Sequence, residues 1–232
     1  MSKKSVLVTF SGLDGSGKST QIAILRAALA SWRKQTKLLA FWDDAVVLTR
    51  YRERFVHVVY KSERGIGAPG RPVQRQDKNV RRWYLTIARH FLYLLDAISL
   101  RFLIARARRH KPDVIVLDRY IYDELANLPI SRGFSRTFAR LISRIAPKPD
   151  VALLLDVDPE SAVARKPEYP LDFVREARST YLELARLLGN MTVIPPLSLN
   201  ETRQQVRDAV AAVVTPAVGA TASSSAGHPR AA

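Results

Sequence analysis

The sequence contains no cysteine, which excludes disulfides and thiolate metal sites. Histidine is scarce too. His57, His90, His110 and His228 stand far apart, without the spacing of a metal site. Long hydrophobic runs are missing: the longest apolar stretch, Phe91 to Ala105, is interrupted by Asp96 and Arg101, is too short to span a bilayer, and reads as a buried helix. Met1-Ser2-Lys3-Lys4 leads straight into an apolar run, with no apolar segment of a secretion signal before it. These absences set the expectation of a cytoplasmic protein with no membrane partner. Negative charge is also in short supply. Lys and Arg number 37 against 21 Asp and Glu, a formal net charge of +16, which points to anionic partners, either phosphorylated small molecules or nucleic acid. An arginine-rich solvated surface gives the same number, so charge alone names no partner.

What is present begins with Gly12-Leu13-Asp14-Gly15-Ser16-Gly17-Lys18-Ser19-Thr20. This is the G-x-x-x-x-G-K-[ST] phosphate-binding loop. Val6–Phe10 precedes it as an apolar strand, and Lys18–Trp32 follows with helical periodicity. Glycines let successive N–H groups turn inward, and the helix behind adds its positive dipole end. Gly12, Gly15, Ser16, Gly17, Lys18, Ser19 and Thr20 are the expected nucleotide-binding residues. Lys18 reaches the β- and γ-phosphates, and Ser19 offers its hydroxyl to Mg²⁺.

Further strands are expected at Thr36–Phe41, Asp113–Leu117, Val151–Leu155 and Met191–Ile194. Helices are expected at Ala45–Lys61, Val80–His110, Phe134–Ile145, Glu160–Arg165, Leu171–Leu188 and Glu201–Val214. This alternation predicts a P-loop NTPase three-layer α/β/α fold, with a five-stranded parallel sheet and helices on both faces. No second core is evident, so residues 1–214 read as one kinase-type domain and Thr215–Ala232 as a disordered tail. Glu63–Asn79, rich in Gly and Pro and basic, reads as a mobile loop.

Two further signals carry chemistry. Val114-Ile115-Val116-Leu117 ends in Asp118, the expected acidic partner of the loop and, with Ser19, a ligand for Mg²⁺. Arg119 follows at the mouth of the same cleft, where a guanidinium can fork onto a phosphate. Arg165, Lys166, Arg175 and Arg178 then bracket Lys166-Pro167-Glu168-Tyr169-Pro170. A basic segment there, about 159–179, can close on a moving phosphoryl group and exclude water. A GTPase is argued against, because Asp77-Lys78-Asn79 does not match Asn-Lys-x-Asp and Asp118 is followed by Arg rather than Gly.

With these residues placed, the chain resembles thymidylate kinase and related nucleoside monophosphate kinases. The likeness rests on the phosphate loop with its internal Asp14-Gly15, on Asp118-Arg119-Tyr120, on Leu153-Leu154-Leu155-Asp156-Val157-Asp158-Pro159-Glu160 and on Tyr181-Leu182-Glu183-Leu184-Ala185. The resemblance implies ATP with Mg²⁺ and transfer of the γ-phosphoryl group to an acceptor. It places Asp14 between donor and acceptor, Arg119 on the acceptor phosphate, Arg165 in the lid and Ser198 near the adenine. Lys18, Asp14, Arg119 and Arg165 are thus the expected catalytic set.

The acceptor side departs from the family pattern. Ile121-Tyr122-Asp123-Glu124-Leu125-Ala126-Asn127-Leu128 stands where the family has a serine pair and then Ala-Tyr-Gln, Trp42-Asp43-Asp44 replaces Arg-Glu-Pro-Gly, and the base-reading arginine of the long helix falls near Ala97, with Arg101 one turn on. Three readings stay open: a nucleoside monophosphate kinase with dTMP as first candidate, a kinase on a nucleoside, sugar phosphate or nucleic-acid end, and a nucleotide-dependent binding protein. The expected partner is a small-molecule phosphate acceptor, with nucleic acid the less favoured alternative, and the assembly considered is a homodimer.

Overall fold

A computed structural model of the chain describes residues 4–46 and 83–214. The expected basic loop 63–79, most of the expected helix Ala45–Lys61 and the tail 215–232 lie outside the described residues.

Five strands form one parallel sheet: β1 (Val6–Ser11), β2 (Thr36–Ala40), β3 (Val114–Asp118), β4 (Val151–Leu155) and β5 (Thr192–Ile194), in the order β2-β3-β1-β4-β5. β1 is central. Val6 lies opposite Val114 and Phe10 opposite Asp118 on one side, while Val8 lies opposite Val151 on the other. Side chains alternate across a strand, so a strand buried on both faces is apolar throughout. Leu7, Ile115, Leu117 and Leu154 face one layer, whereas Val8, Phe10, Val116, Leu153 and Leu155 face the other.

The second layer is completed by α1 (Lys18–Ser31), through Ile22, Leu25 and Leu29, and by α7 (Leu199–Val214), through Val206, Val210 and Val214. The first is covered by α2 (Trp83–Arg109), α3 (Ile121–Leu125), α4 (Gly133–Ile145) and α6 (Leu171–Leu188). The short α5 (Pro159–Arg165) caps the end of the sheet above the phosphate loop.

Two elements differ from expectation. The five-residue α3 is too short to show a period, and no expected element covers it. Phe41–Ala45 forms a single wide helical turn rather than the end of β2, and the chain leaves it extended at Val46. The reading of Phe91 to Ala105 as a buried helix also needs correction. Ala97, Leu100 and Ile104 are buried, but Phe91 and Phe102 are 59% and 70% exposed. The helix is apolar on more of its circumference than the sheet can cover. Among the described residues no helix is long and apolar enough to cross a membrane.

The strands' carboxyl ends converge on one edge, the end where open α/β sheets bind ligands. At the opposite edge Asp150 ties β1 to β4: its carboxylate accepts from Leu7 N at 2.8 Å, and its own N–H donates to Leu7 O at 2.9 Å.

α6 stops at Gly189, which takes φ 63 in open space, with nothing within 4 Å of where a Cβ would stand. Gly189→Ala should therefore cost about 1 kcal/mol of stability from backbone strain alone, seen as a lowered denaturant midpoint with transfer activity unchanged.

Candidate active site

The phosphate loop is built as its sequence requires. Gly12, Gly15 and Gly17 have φ of 138, 82 and 85. Packing adds a second constraint at Gly12, where a Cβ would stand 2.5 Å from the Leu155 carbonyl oxygen. α1 begins at Lys18, so its free N–H groups open towards the loop. Lys18 Nζ donates to the carbonyls of Gly12 at 2.8 Å and Leu13 at 2.6 Å and approaches Ser16 Oγ at 3.4 Å. Burial pushes the Lys18 ammonium down to about 8; Arg119 adds repulsion, while Asp123, Asp14 and Asp118 oppose the shift.

Beside the loop, one carboxylate gathers five donors. Asp123, on α3, accepts from Ser11 Oγ at 2.7 Å, Tyr181 OH at 2.8 Å, Tyr120 N at 3.0 Å, Arg119 Nη1 at 3.2 Å and Gly12 N at 3.4 Å. Its side chain is 1% exposed. The donors come from the end of β1, the turn after β3 and α6, so this residue joins three elements. Burial raises the Tyr181 phenol well above its usual range, with Asp123 adding to the effect, and the hydroxyl stays a donor.

Arg119 is held between two acids. One guanidinium nitrogen bonds Asp123 and the other bonds Asp14 of the loop. Burial works against its charge, but Asp123 and Asp14 outweigh burial and hold it above the ordinary arginine value. Its backbone has φ 66, a left-handed conformation that side chains other than glycine seldom adopt. Such strain persists where the surroundings over-determine it, and two carboxylates on one guanidinium do so here.

The lid rests on the loop. Arg165 Nη1 donates to the Gly15 carbonyl at 3.2 Å, and a Cβ at Gly15 would stand 2.7 Å from the Ala162 carbonyl oxygen. Lys166 lies 3.9 Å from Asp14 and 3.0 Å from Glu168. The remaining basic residues of the segment are paired: Arg178 forks onto Asp156 at 2.8 and 2.7 Å, and Arg175 bonds Glu160. A cleft of about 220 Å³ opens between loop and lid, lined by Asp14, Trp42, Arg119, Asn127, Tyr169 and Phe173 among others.

The structure therefore brings together Gly12, Asp14, Gly15, Ser16, Gly17, Lys18, Arg119 and Arg165 of the expected set. Ser19 and Thr20 are exposed on the first turn of α1. Asp118 sits at the carboxyl end of β3, level with Phe10. Ser198 caps α7: its hydroxyl donates to Glu201 at 2.6 Å and its N–H at 3.0 Å. Ala97 is fully buried, and the Arg101 guanidinium turns away to the Ile145 carbonyl at 3.2 Å. Neither lines the cleft. Sequence reasoning missed the roles of Asp123 and Tyr181. The available signal was Asp123-Glu124 itself, two acids set directly after an Asp-Arg-Tyr run.

Comparison with known proteins agrees with this geometry. The thymidylate kinase family model matches residues 44–206. A probable thymidylate kinase of Methanocaldococcus jannaschii is 30% identical over 184 residues, covering 78% of this chain and 81% of that protein. One from Sulfolobus acidocaldarius is 26% identical over 197 residues, covering 81% and 87%. Among solved structures, thymidylate kinase from Ehrlichia chaffeensis superposes with a TM-score of 0.56 at 18% identity, covering 89% of this chain and 98% of that one. Thymidylate kinase from Candida albicans gives 0.57 at 19%, covering 88% and 90%; these two likenesses concern the fold alone. The chain therefore belongs to the thymidylate kinase family and is an ATP-dependent nucleoside monophosphate kinase.

Proposed function

We propose that the acceptor is dTMP and that its phosphate is received by Arg119. The observation that supports this most is the placement of Arg119, shared between the phosphate loop through Asp14 and the acceptor cleft it lines. The relatives' names, probable thymidylate kinases, point to the same acceptor.

In this reading Gly12, Gly15, Ser16, Gly17, Lys18, Ser19 and Thr20 hold the triphosphate, and Ser198 lies towards the adenine. A phosphate oxygen of the acceptor attacks the γ-phosphorus as its bond to the ADP oxygen breaks. Lys18 and Arg165 offset charge on the moving group. Asp14 exchanges Arg119 with the incoming phosphate, while Asp123 keeps the guanidinium aimed. The Ser19 hydroxyl and the Asp118 carboxylate are hard oxygen donors of the kind Mg²⁺ takes. The Asp118 carboxylate has no hydrogen-bond partner among the described residues, so its oxygens suit that ion. Mg²⁺ held by these two residues would offset phosphate charge.

A second acceptor is favoured by one observation: no α2 guanidinium enters the cleft from position 97 or 101. The Candida albicans relative is described as having broad substrate specificity, and another nucleoside monophosphate fits that precedent. A panel of nucleoside monophosphates with ATP and Mg²⁺, read as ADP release, decides it. Turnover with dTMP supports the first reading, and turnover only with other monophosphates replaces it. A cytoplasmic, cysteine-free homodimer completes the proposal, supported by the exposed line of Phe91, Ile98 and Phe102 along α2.

Lys18→Ala should lower the transfer rate by about 10²-fold or more with the melting temperature retained. The ammonium also sets a pH dependence. Bound phosphates favour its charged form, so ATP affinity in the intact protein should be full below about pH 8 and fall above it. Equilibrium titrations across that range should give a flat profile for Lys18→Ala.

Arg119→Ala should raise KM for the acceptor about tenfold or more, with KM for ATP little changed; an equal loss on both substrates would contradict its role. Asp123→Asn keeps the shape but turns one acceptor oxygen into a donor facing Ser11 and Tyr120. It should reproduce the Arg119→Ala pattern, whereas Tyr181→Phe, which removes a single donor, should move both substrates little.

A further inference from the structure

The second concentration of charge lies at the other end of the sheet. A groove of about 880 Å³ runs beneath the amino ends of β1 and β4. Lys4, immediately before β1, and Lys148, shortly before β4, contribute to it, with Arg101 and Arg108 from the last turns of α2 and Arg140 and Arg144 from α4. Among the described residues no carboxylate lines it. Around the active site Arg119, Arg175 and Arg178 are paired with Asp14, Asp123, Glu160 and Asp156. In the groove Lys4 stands 4.0 Å from Asp150 and Arg101 bonds a carbonyl. Arg108, Arg140, Arg144 and Lys148 make no ion pair among the described residues. Arg108 Nε is buried without a hydrogen-bond partner among the described residues.

A buried, charged donor left without an acceptor is uncommon and calls for explanation. Six like charges around one concavity repel one another, and a bound anion relieves both problems. The lining also limits the kind of anion. Its apolar members are Ile104, Ala105, Ala146, Pro147, Leu187 and Leu188, none of them aromatic. Single-stranded nucleic acid is commonly held by stacking on aromatic rings, and among the described residues this groove provides none. Guanidinium forks suit phosphate oxygens, and the volume exceeds what one orthophosphate fills.

We infer that this groove is a second anion site, separate from the phosphate loop, which takes a condensed phosphate chain through its phosphates alone. Guanidinium groups of Arg101, Arg108, Arg140 and Arg144 fork onto the phosphates, and Lys4 and Lys148 add their charges from the neighbouring amino ends of β1 and β4.

The test is calorimetric titration of the full chain with tripolyphosphate. It is run on Lys18→Ala, so that the phosphate loop does not dominate the heat, with orthophosphate and a thymidine oligonucleotide as separate arms. Tripolyphosphate should bind at one equivalent, and adding Arg140→Gln and Arg144→Gln should weaken it about tenfold or more. Those two positions lie outside the transfer machinery. In the otherwise wild-type chain, Arg140→Gln with Arg144→Gln should leave phosphoryl transfer and the melting temperature unchanged. Arg108→Gln, tested separately, should also weaken binding. Undiminished tripolyphosphate binding in the double variant, or no binding at all, overturns the inference. Tighter binding of the oligonucleotide than of tripolyphosphate overturns it too, in favour of a nucleic-acid surface.

Discussion

The site depends on a single buried carboxylate. Asp123 draws the end of β1, the first amide of the phosphate loop, the arginine after β3 and the tyrosine of α6 onto its two oxygens. Each of these elements could pack against the sheet in a slightly different place if apolar contacts alone decided. Hydrogen bonds in a low-dielectric interior are directional and unforgiving of a missing partner. Five donors on one group therefore fix relative positions that greasy surfaces leave loose. The donor half of the site, which is the loop, and the acceptor half, which is Arg119 and the cleft, share this anchor.

That arrangement also explains why an arginine can sit in a left-handed backbone conformation. The chain must turn sharply after β3 to start α3, and no glycine is available there. The guanidinium's two ion pairs offset the backbone strain, and the result is an arginine whose head group is placed by both ends of its side chain. The lid approaches from the opposite side. Arg165 reaches a loop carbonyl, while the neighbouring Arg175 and Arg178 are occupied by acids of their own segment. Positive charge is thus concentrated at the loop rather than spread along the lid.

Most of the fold is legible in the sequence because its three central strands, β1, β3 and β4, are predominantly apolar runs. β4 has the limits its residues predict, and β1 and β3 agree to within a residue at an end, since Val, Ile and Leu buried on both faces leave no ambiguity of period. The phosphate loop is legible for a related reason: its glycines are required by backbone geometry and its lysine by chemistry. α3 is not legible, because five residues are too few for a helical period to emerge. The function of Asp123 is hidden for a deeper reason. Its five donors lie up to 112 residues away along the chain, and only the folded sheet brings them together. Asp123-Glu124 stands out as a departure from the family pattern, without any indication that the departure is the centre of the site. Arg101 misleads in the opposite direction: it lies close along the helix to the position of a base-reading arginine, yet its head group points to the far end of the domain.

The contact between Gly15 and Ala162 has a consequence for how the two halves of the domain can change. With a carbonyl oxygen 2.7 Å from where a methyl group would sit, the bare α-carbon acts as a spacer gauge for the lid. Any enlargement on the loop side would prop the short helix outward, and drift in sequence at position 15 would have to be matched by a retreat of the chain around 162. These two positions, distant in the sequence, are therefore bound to vary together, and the clearance between them records how far down the cover can travel.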